Sequence, residues 1–227
     1  MEHTDCFIYH HLGLGDHIVC NGLVRYVIDN RQLKNVSLVV KSCNLNNVRR
    51  MFSDRDEVDF FVVEKDQDFL DYHQNNGDIP LLKVGFEKCR NEDFDRSFYD
   101  SVGVSFNERW DSWDLYRDKV QEQKLFDDLK IEDDYIFVHD LSSVGKYDLN
   151  IQSDLRKIRP EKLPSEETIF DWVGVIEEAE EVHAISSSFV HLIDSFNLNN
   201  KLYFHNIKSG DGMGFSLKND WTFINYG

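Results

Sequence analysis

The segment His10-His11-Leu12-Gly13-Leu14-Gly15-Asp16-His17 decides how the chain is read, because a short apolar run, Cys6 to Tyr9, precedes it and an amphipathic segment follows it. That order is strand, glycine turn, helix. Gly13 and Gly15 permit positive φ and close approach of the backbone to a ligand, and Asp16 stands where an N-cap carboxylate accepts the first free amides of a helix beginning at His17. Ile18, Val19, Gly22, Leu23, Tyr26 and Val27 recur at helical spacing, so one helix face packs on a sheet. A dinucleotide fingerprint needs a third glycine at position 18, where Ile18 stands. A nicotinamide-dependent oxidoreductase therefore rests on the glycine turn alone, and a plain βα turn with a capping Asp competes with any ligand role.

Outward from this turn the alternation continues. Val36 to Val40 reads as a strand, Asn44 to Phe52 as a helix, Val58 to Val63 as a strand, Asp66 to Asn75 as a helix and Pro80 to Val84 as a strand. Strands separated by helices imply right-handed crossovers and a mainly parallel sheet. Ligands then bind beyond the strand C-termini, where residues 11 to 17 lie. From Asn91 to Lys130 Phe94, Phe98, Tyr99, Trp110, Trp113, Tyr116 and Val120 stand among charges and read as helices whose aromatics pack a core or a lobe junction.

With 227 residues, 41% hydrophobic and 17 Phe, the chain has material for two small α/β lobes, expected near 1–117 and 118–227. A formal charge of −17 argues against nucleic acid and anionic membranes as partners, so local groups must hold any anionic ligand. Cys6, Cys20, Cys43 and Cys89 form no CxxC pair, which favours reduced thiols, a cytoplasmic location and no zinc site. Met1 to Asp5 is polar and no apolar run nears the roughly 20 residues of a membrane span, so no signal peptide or stable membrane insertion is expected. Asp54-Arg55-Asp56 and Asp93-Phe94-Asp95 match a metal-binding DxD pattern, but Asp and Glu total 42 and such pairs arise by chance; no metal is expected.

The second half opens with a buried strand, Tyr135 to Asp140, that repeats the plan of the first lobe, followed by Leu141-Ser142-Ser143-Val144-Gly145-Lys146. Ile158-Arg159-Pro160 reads as a short strand and Thr168 to Ala179 as an amphipathic helix capped by Thr168 or Ser165. Glu181 to Ile185 is then a strand that runs into Ser186-Ser187-Ser188 and a new helix, with His191 about one turn inside it. Serine hydroxyls and free amides at a helix N-terminus suit an anion, so Ser186, Ser187, Ser188 and His191 are candidate diphosphate contacts; simple capping by one serine is the competing role. His139, Ser142, Ser143 and Lys146, on the loop after the lobe's first strand, supply further donors, Lys146 being the one cation among them. Lys201 to His205 is a strand, Gly210 to Gly214 a mobile loop, and Trp221 to Ile224 an edge strand.

Gly13-Leu14-Gly15-Asp16 after the first strand, taken with Ala179-Glu180-Glu181-Val182-His183-Ala184-Ile185-Ser186-Ser187-Ser188-Phe189-Val190-His191-Leu192-Ile193-Asp194, resembles glycosyltransferases of the GT-B fold, especially the heptosyltransferase-like group. In that family the later segment usually carries Asp-Ser-Gly where this chain has Ser186-Ser187-Ser188. The resemblance implies two Rossmann-like lobes with parallel sheets and a ligand cleft between them. The first lobe takes the acceptor and the second a nucleotide-sugar. It also implies that Gly13, Gly15, His11 and His17 form the acceptor-side turn, that Asp16 is the base, and that transfer needs no obligatory cofactor or metal. The acceptor, a glycan or small molecule, is not specified, and a non-catalytic sugar- or nucleotide-binding protein of the same fold is the alternative.

Overall fold

The computed structural model describes residues 4–142, 145–160, 167–207 and 214–226. The chain divides into two compact units, Met1–Tyr116 with Met213–Ser216, and Arg117–Gly212 with Leu217–Gly227.

The first unit runs β1 (Cys6–Tyr9), α1 (Leu14–Val19), α2 (Asn21–Arg31), β2 (Val36–Lys41), α3 (Leu45–Met51), β3 (Val58–Val63), α4 (Asp66–Asn75), β4 (Leu81–Lys83), α5 (Phe94–Val102) and α6 (Glu108–Asp111). Its strands pair in the order β3-β2-β1-β4, all parallel, with Phe7 opposite Ser37 and Leu81. β1 and β2 are buried almost throughout, which is why they read as continuous apolar runs rather than alternating ones. Phe7, Tyr9, Leu12, Val39, Val63 and Phe69 form a core cluster, and Phe7 meets Phe61 and Phe69 edge-on at 5.6 and 5.3 Å. Phe98 and Tyr99 are buried as expected of core aromatics, whereas Tyr116 is exposed.

Of the four DxD carboxylates three are held by arginines: Asp54 pairs with Arg25, Asp93 with Arg90, and Asp95 with the buried Arg109. Asp95 also accepts the Ser216 N–H at 2.8 Å, and Phe94 N–H donates to Gly214 O at 2.8 Å. Gly214, read from sequence as part of a mobile loop, is thus pinned; positions 210–213 lie outside the described residues.

The second unit runs α7 (Lys119–Asp128), β5 (Tyr135–His139), β6 (Leu141–Ser142), β7 (Gly145–Lys146), β8 (Arg156–Ile158), α8 (Val173–Glu177), β9 (Glu181–Ile185), α9 (Ser188–Ser195), β10 (Lys201–Asn206) and β11 (Trp221–Asn225). Its large sheet has the order β11-β10-β9-β5-β8, all parallel. The expected repeat of the first lobe's plan fails after β5. An antiparallel hairpin, β6 with β7, follows that strand in place of a glycine turn and helix. The helix expected over Thr168 to Ala179 is a 3-10 turn, Ile169–Trp172, and then the short α8. Thr168 caps that turn in a capping box with Asp171, and Ser165 lies outside the described residues. Val120, expected to pack inward, is exposed on α7.

α2 and α6 approach so closely at Gly22 that a Cβ there would stand 2.0 Å from the Glu108 carbonyl oxygen. Gly22→Ala must push α6 away and is expected to cost about 1–3 kcal/mol of stability. Urea unfolding of the variant checks this; an unchanged midpoint would contradict the packing.

Candidate functional site

In an open parallel sheet the ligand crevice lies outside the strand C-termini where consecutive crossovers leave in opposite directions. The first sheet turns at β1 and β4, since β2 and β3 build out on one side of β1 and β4 pairs on the other. The loop after β1 is the glycine turn.

That turn differs from its reading in the sequence. α1 begins at Leu14 rather than His17, with Gly13 as N-cap at φ −72° and ψ 147°. Neither turn glycine is among the described residues with positive φ. Gly13 is needed for space instead, because a Cβ would lie 2.7 Å from Asp16 Oδ2. Asp16 is therefore the third residue of the helix, folded back over the N-cap, and not the cap itself. Leu12 O accepts from Asn44 Nδ2 at 2.9 Å, which ties the turn to the residue preceding α3.

Asp16 is half-buried, and burial pushes its carboxyl up to about 7 against the opposing pull of the Gly13 N–H and the Lys41 charge. Desolvation thus outweighs the backbone amide that favours the ionised form. Lys41, at the end of β2, pairs with Asp66 at 2.8 Å and is a site neighbour that the sequence reading missed. Its position as the last residue of a strand beside β1 is the signal that marks it.

The histidines around the turn face inward. His11 Nε2 accepts from Phe86 N–H at 3.3 Å while its ring stacks on Phe86 and Phe98, with centroids 4.6 and 5.5 Å away. His17 is 1% exposed, its ring edge-on to that of His10 at 4.4 Å, and neither of its ring nitrogens has a hydrogen-bond partner among the described residues. Burial lowers the pKa of both His11 and His17, the latter well below the usual range. His11 buttresses the loop after β4, and His17 is on the buried face of α1.

The second sheet turns between β5 and β9. Here the structure brings two candidates together: Ser187 Oγ and His139 Nδ1 are 3.0 Å apart. Ser187 is the N-cap residue of α9 but makes no capping bond, and its hydroxyl donates to Ile185 O at 3.2 Å. With that proton committed, His139 is assigned as the Nδ1–H tautomer donating to Ser187. Burial lowers the His139 pKa to about 4, against the pull of Asp140, and its ring packs on Phe189 at 4.4 Å. His139 is thus a neutral donor at pH 7 whose proton is spent on Ser187.

Ser186 is exposed, and Ser188 and His191 are half-buried on the first turn of α9. Ser142 Oγ donates to Gly145 O at 3.4 Å across the β6–β7 hairpin, and Ser143 lies outside the described residues. Lys146 is exposed, 3.9 Å from Asp140 Oδ2. Arg159, just past β8, donates from Nε to the same oxygen at 2.9 Å. It was read only as part of a strand, and its place at a strand C-terminus next to β5 is the signal that singles it out.

The Asp16 carboxyl carries a prediction of its own. A folded pKa near 7, against about 3.9 unfolded, means the native state holds more protons between those values. Stability is fully present below about pH 4 and falls as pH rises through 7. Asp16→Asn keeps an oxygen toward Gly13 and removes that loss, so the variant should be more stable than wild type at pH 8, with the gap closing at pH 5. Urea midpoints at the two pH values test it; a gap independent of pH would refute the burial of a titrating carboxyl.

No protein-family model matches the sequence, and no curated protein matches it. Solved structures do. The chain is similar to the glycosyl transferase family 9 protein from Veillonella parvula, with a TM-score of 0.63 at 9% identity over 99% of this chain and 88% of that one. It is similar to the E. coli ADP-heptose LPS heptosyltransferase II, with a TM-score of 0.56 at 11% identity over 97% of this chain and 90% of that one. For the iron-containing dodecameric glycosyltransferase TibC from enterotoxigenic E. coli the TM-score is 0.54 at 11% identity, over 95% of this chain and 62% of that one. At these identities the likeness is one of fold, and the chain has the heptosyltransferase-like GT-B fold that its glycine and serine turns resemble.

Proposed function

We propose that the chain is a glycosyltransferase that moves a sugar from a nucleotide-diphosphate donor to an acceptor hydroxyl without an obligatory metal. The observation that carries this reading is Asp16, a half-buried carboxyl near pKa 7 held on the ligand edge of a parallel sheet in a glycosyltransferase fold. Asp16 takes the acceptor proton as the acceptor oxygen bonds to the anomeric carbon. The bond from that carbon to the diphosphate oxygen breaks, and the diphosphate leaves with the electron pair. A base near 7 is stronger than an ordinary carboxylate and is still about half ionised at neutral pH.

Donor binding is assigned to the second unit. The N-terminus of α9, with Ser186 and Ser188 beside it, offers amides and hydroxyls to the diphosphate. Ser187 and His139 hold the turn, since each has its proton committed within the pair and its carbonyl partner. Lys146 adds positive charge from the hairpin. His11 and His17 support the acceptor side from beneath.

A thermal-shift screen of nucleoside diphosphates with and without chelator tests the donor half: stabilisation that survives chelation is expected, and a strict metal requirement contradicts the proposal. Transfer from a matched nucleotide-sugar should rise with pH through an apparent pKa near 7. Asp16→Asn should lower turnover by about 10² or more and abolish that limb. Near-full activity in the variant would remove Asp16 from the mechanism, and nucleotide binding without any turnover would leave a binding protein.

A further inference from the structure

We propose that Arg159 is an anion-binding residue of the nucleotide site, aimed by Asp140 and seconded by Lys146; this rests on the nucleotide-diphosphate reading above. Ile158, the last residue of β8, is paired with Phe137 of β5, so Arg159 leaves the sheet at its C-terminal edge beside His139 and Asp140. Pro160 follows and favours extended backbone at Arg159, which directs the side chain outward from the strand end. Its Nε donates to Asp140 Oδ2 at 2.9 Å. Tyr147 N–H donates to Asp140 O at 2.8 Å and folds the hairpin back, which brings Lys146 Nζ to 3.9 Å from the same carboxylate oxygen.

Charge counting sets this cluster apart from the other arginines of the second unit. Arg117 is bound on both sides by Glu122 and Glu177, one cation between two carboxylates. Arg156 spends Nη1 and Nη2 on the carbonyls of Lys130 and Leu129. At Arg159 the ratio is reversed: two cations share one buried carboxylate, and no described residue binds the Arg159 Nη groups. Among the described residues the result is a local surplus of one positive charge, in a chain of net charge −17, at the edge outside the strand C-termini. A guanidinium whose Nη fork no described residue binds matches two phosphate oxygens, and fixing Nε on Asp140 removes much of the side-chain freedom that such a contact otherwise loses.

Asp140 is in this scheme a positioning residue with two opposing effects. Its oxygen aims Arg159, and its charge competes with the ligand. Asp140→Asn keeps an oxygen acceptor and removes the competing charge, so the two substitutions should act in opposite directions. Binding of ADP, GDP and UDP, and of their parent nucleosides, is measured by calorimetry on the full chain at two salt concentrations. For whichever diphosphate wild type binds, Arg159→Gln should weaken binding about tenfold or more and flatten its salt dependence, with nucleoside binding unchanged. Asp140→Asn should tighten diphosphate binding several-fold. A purely structural ion pair predicts instead that both variants lose stability and shift affinity the same way, so thermal unfolding is followed for each.

Wild-type affinity retained in Arg159→Gln overturns the proposal, as does equal loss of nucleoside and diphosphate binding or a shift of the same sign in both variants. If wild type binds none of the three diphosphates, the donor reading itself falls and this assignment with it.

Discussion

Every pairing in the two large sheets is parallel, and that constraint organises the rest of the molecule. Parallel strands are joined by long crossovers, so each sheet gathers all its strand C-termini along one edge and puts the intervening helices or loops over its faces. Such an edge suits a ligand site because the backbone there is released from the ladder while its side chains remain fixed by buried strands. Asp16, Lys41 and Gly85 emerge at one such edge; Asp140, Arg159 and Ser187 emerge at the other. None of these residues is close in sequence to all of its partners.

Electrostatics at the two edges follows from the same geometry. The first unit's edge raises a carboxyl by removing water around it; the Gly13 N–H and then the Lys41 charge oppose this, and Lys41 is tied to Asp66. The second unit's edge lowers a histidine by the same means and leaves it uncharged, so positive potential there comes from Arg159 and Lys146 instead. Burial thus acts on both edges but in opposite chemical senses: it makes a carboxyl basic and an imidazole inert as a cation.

The strands were legible because their apolar runs are bounded by turn residues; Cys6–Tyr9, Val58–Val63 and Glu181–Ile185 have the limits that the sequence suggests. The helix starts were not equally legible. Asp16 matches a capping residue by type, but the helix begins one turn earlier, at Leu14, and a carboxylate at the third helical position can reach back to the cap from inside. The hairpin after β5 was hidden because Leu141 to Lys146 has no period long enough to separate helix from strand. His11 and His17 looked available in sequence because histidine is compatible with a surface or a core, and only packing against Phe86, Phe98 and His10 decides between them. Arg159 was missed because its importance lies in the ratio of cations to carboxylates in three dimensions.

Ser187 shows how a site can be built by withholding a favourable local interaction. It has the residue type and the extended backbone, φ −167° and ψ 176°, of a good N-cap, a role generally associated with about 1 kcal/mol. Its hydroxyl turns instead to Ile185 and His139, so Ser187 makes no capping bond to α9. A capping hydroxyl would occupy an amide of the first turn and place an oxygen lone pair where an anion would otherwise sit. By directing Ser187 back to its own strand and to β5, the fold fixes the turn through two hydrogen bonds and leaves the capping position of that hydroxyl unused. The helix forgoes the local cap, while the burial of Phe189, Val190, Leu192 and Ile193 holds it in place. Local preference and site geometry disagree at this residue, and packing is what allows the site geometry to prevail.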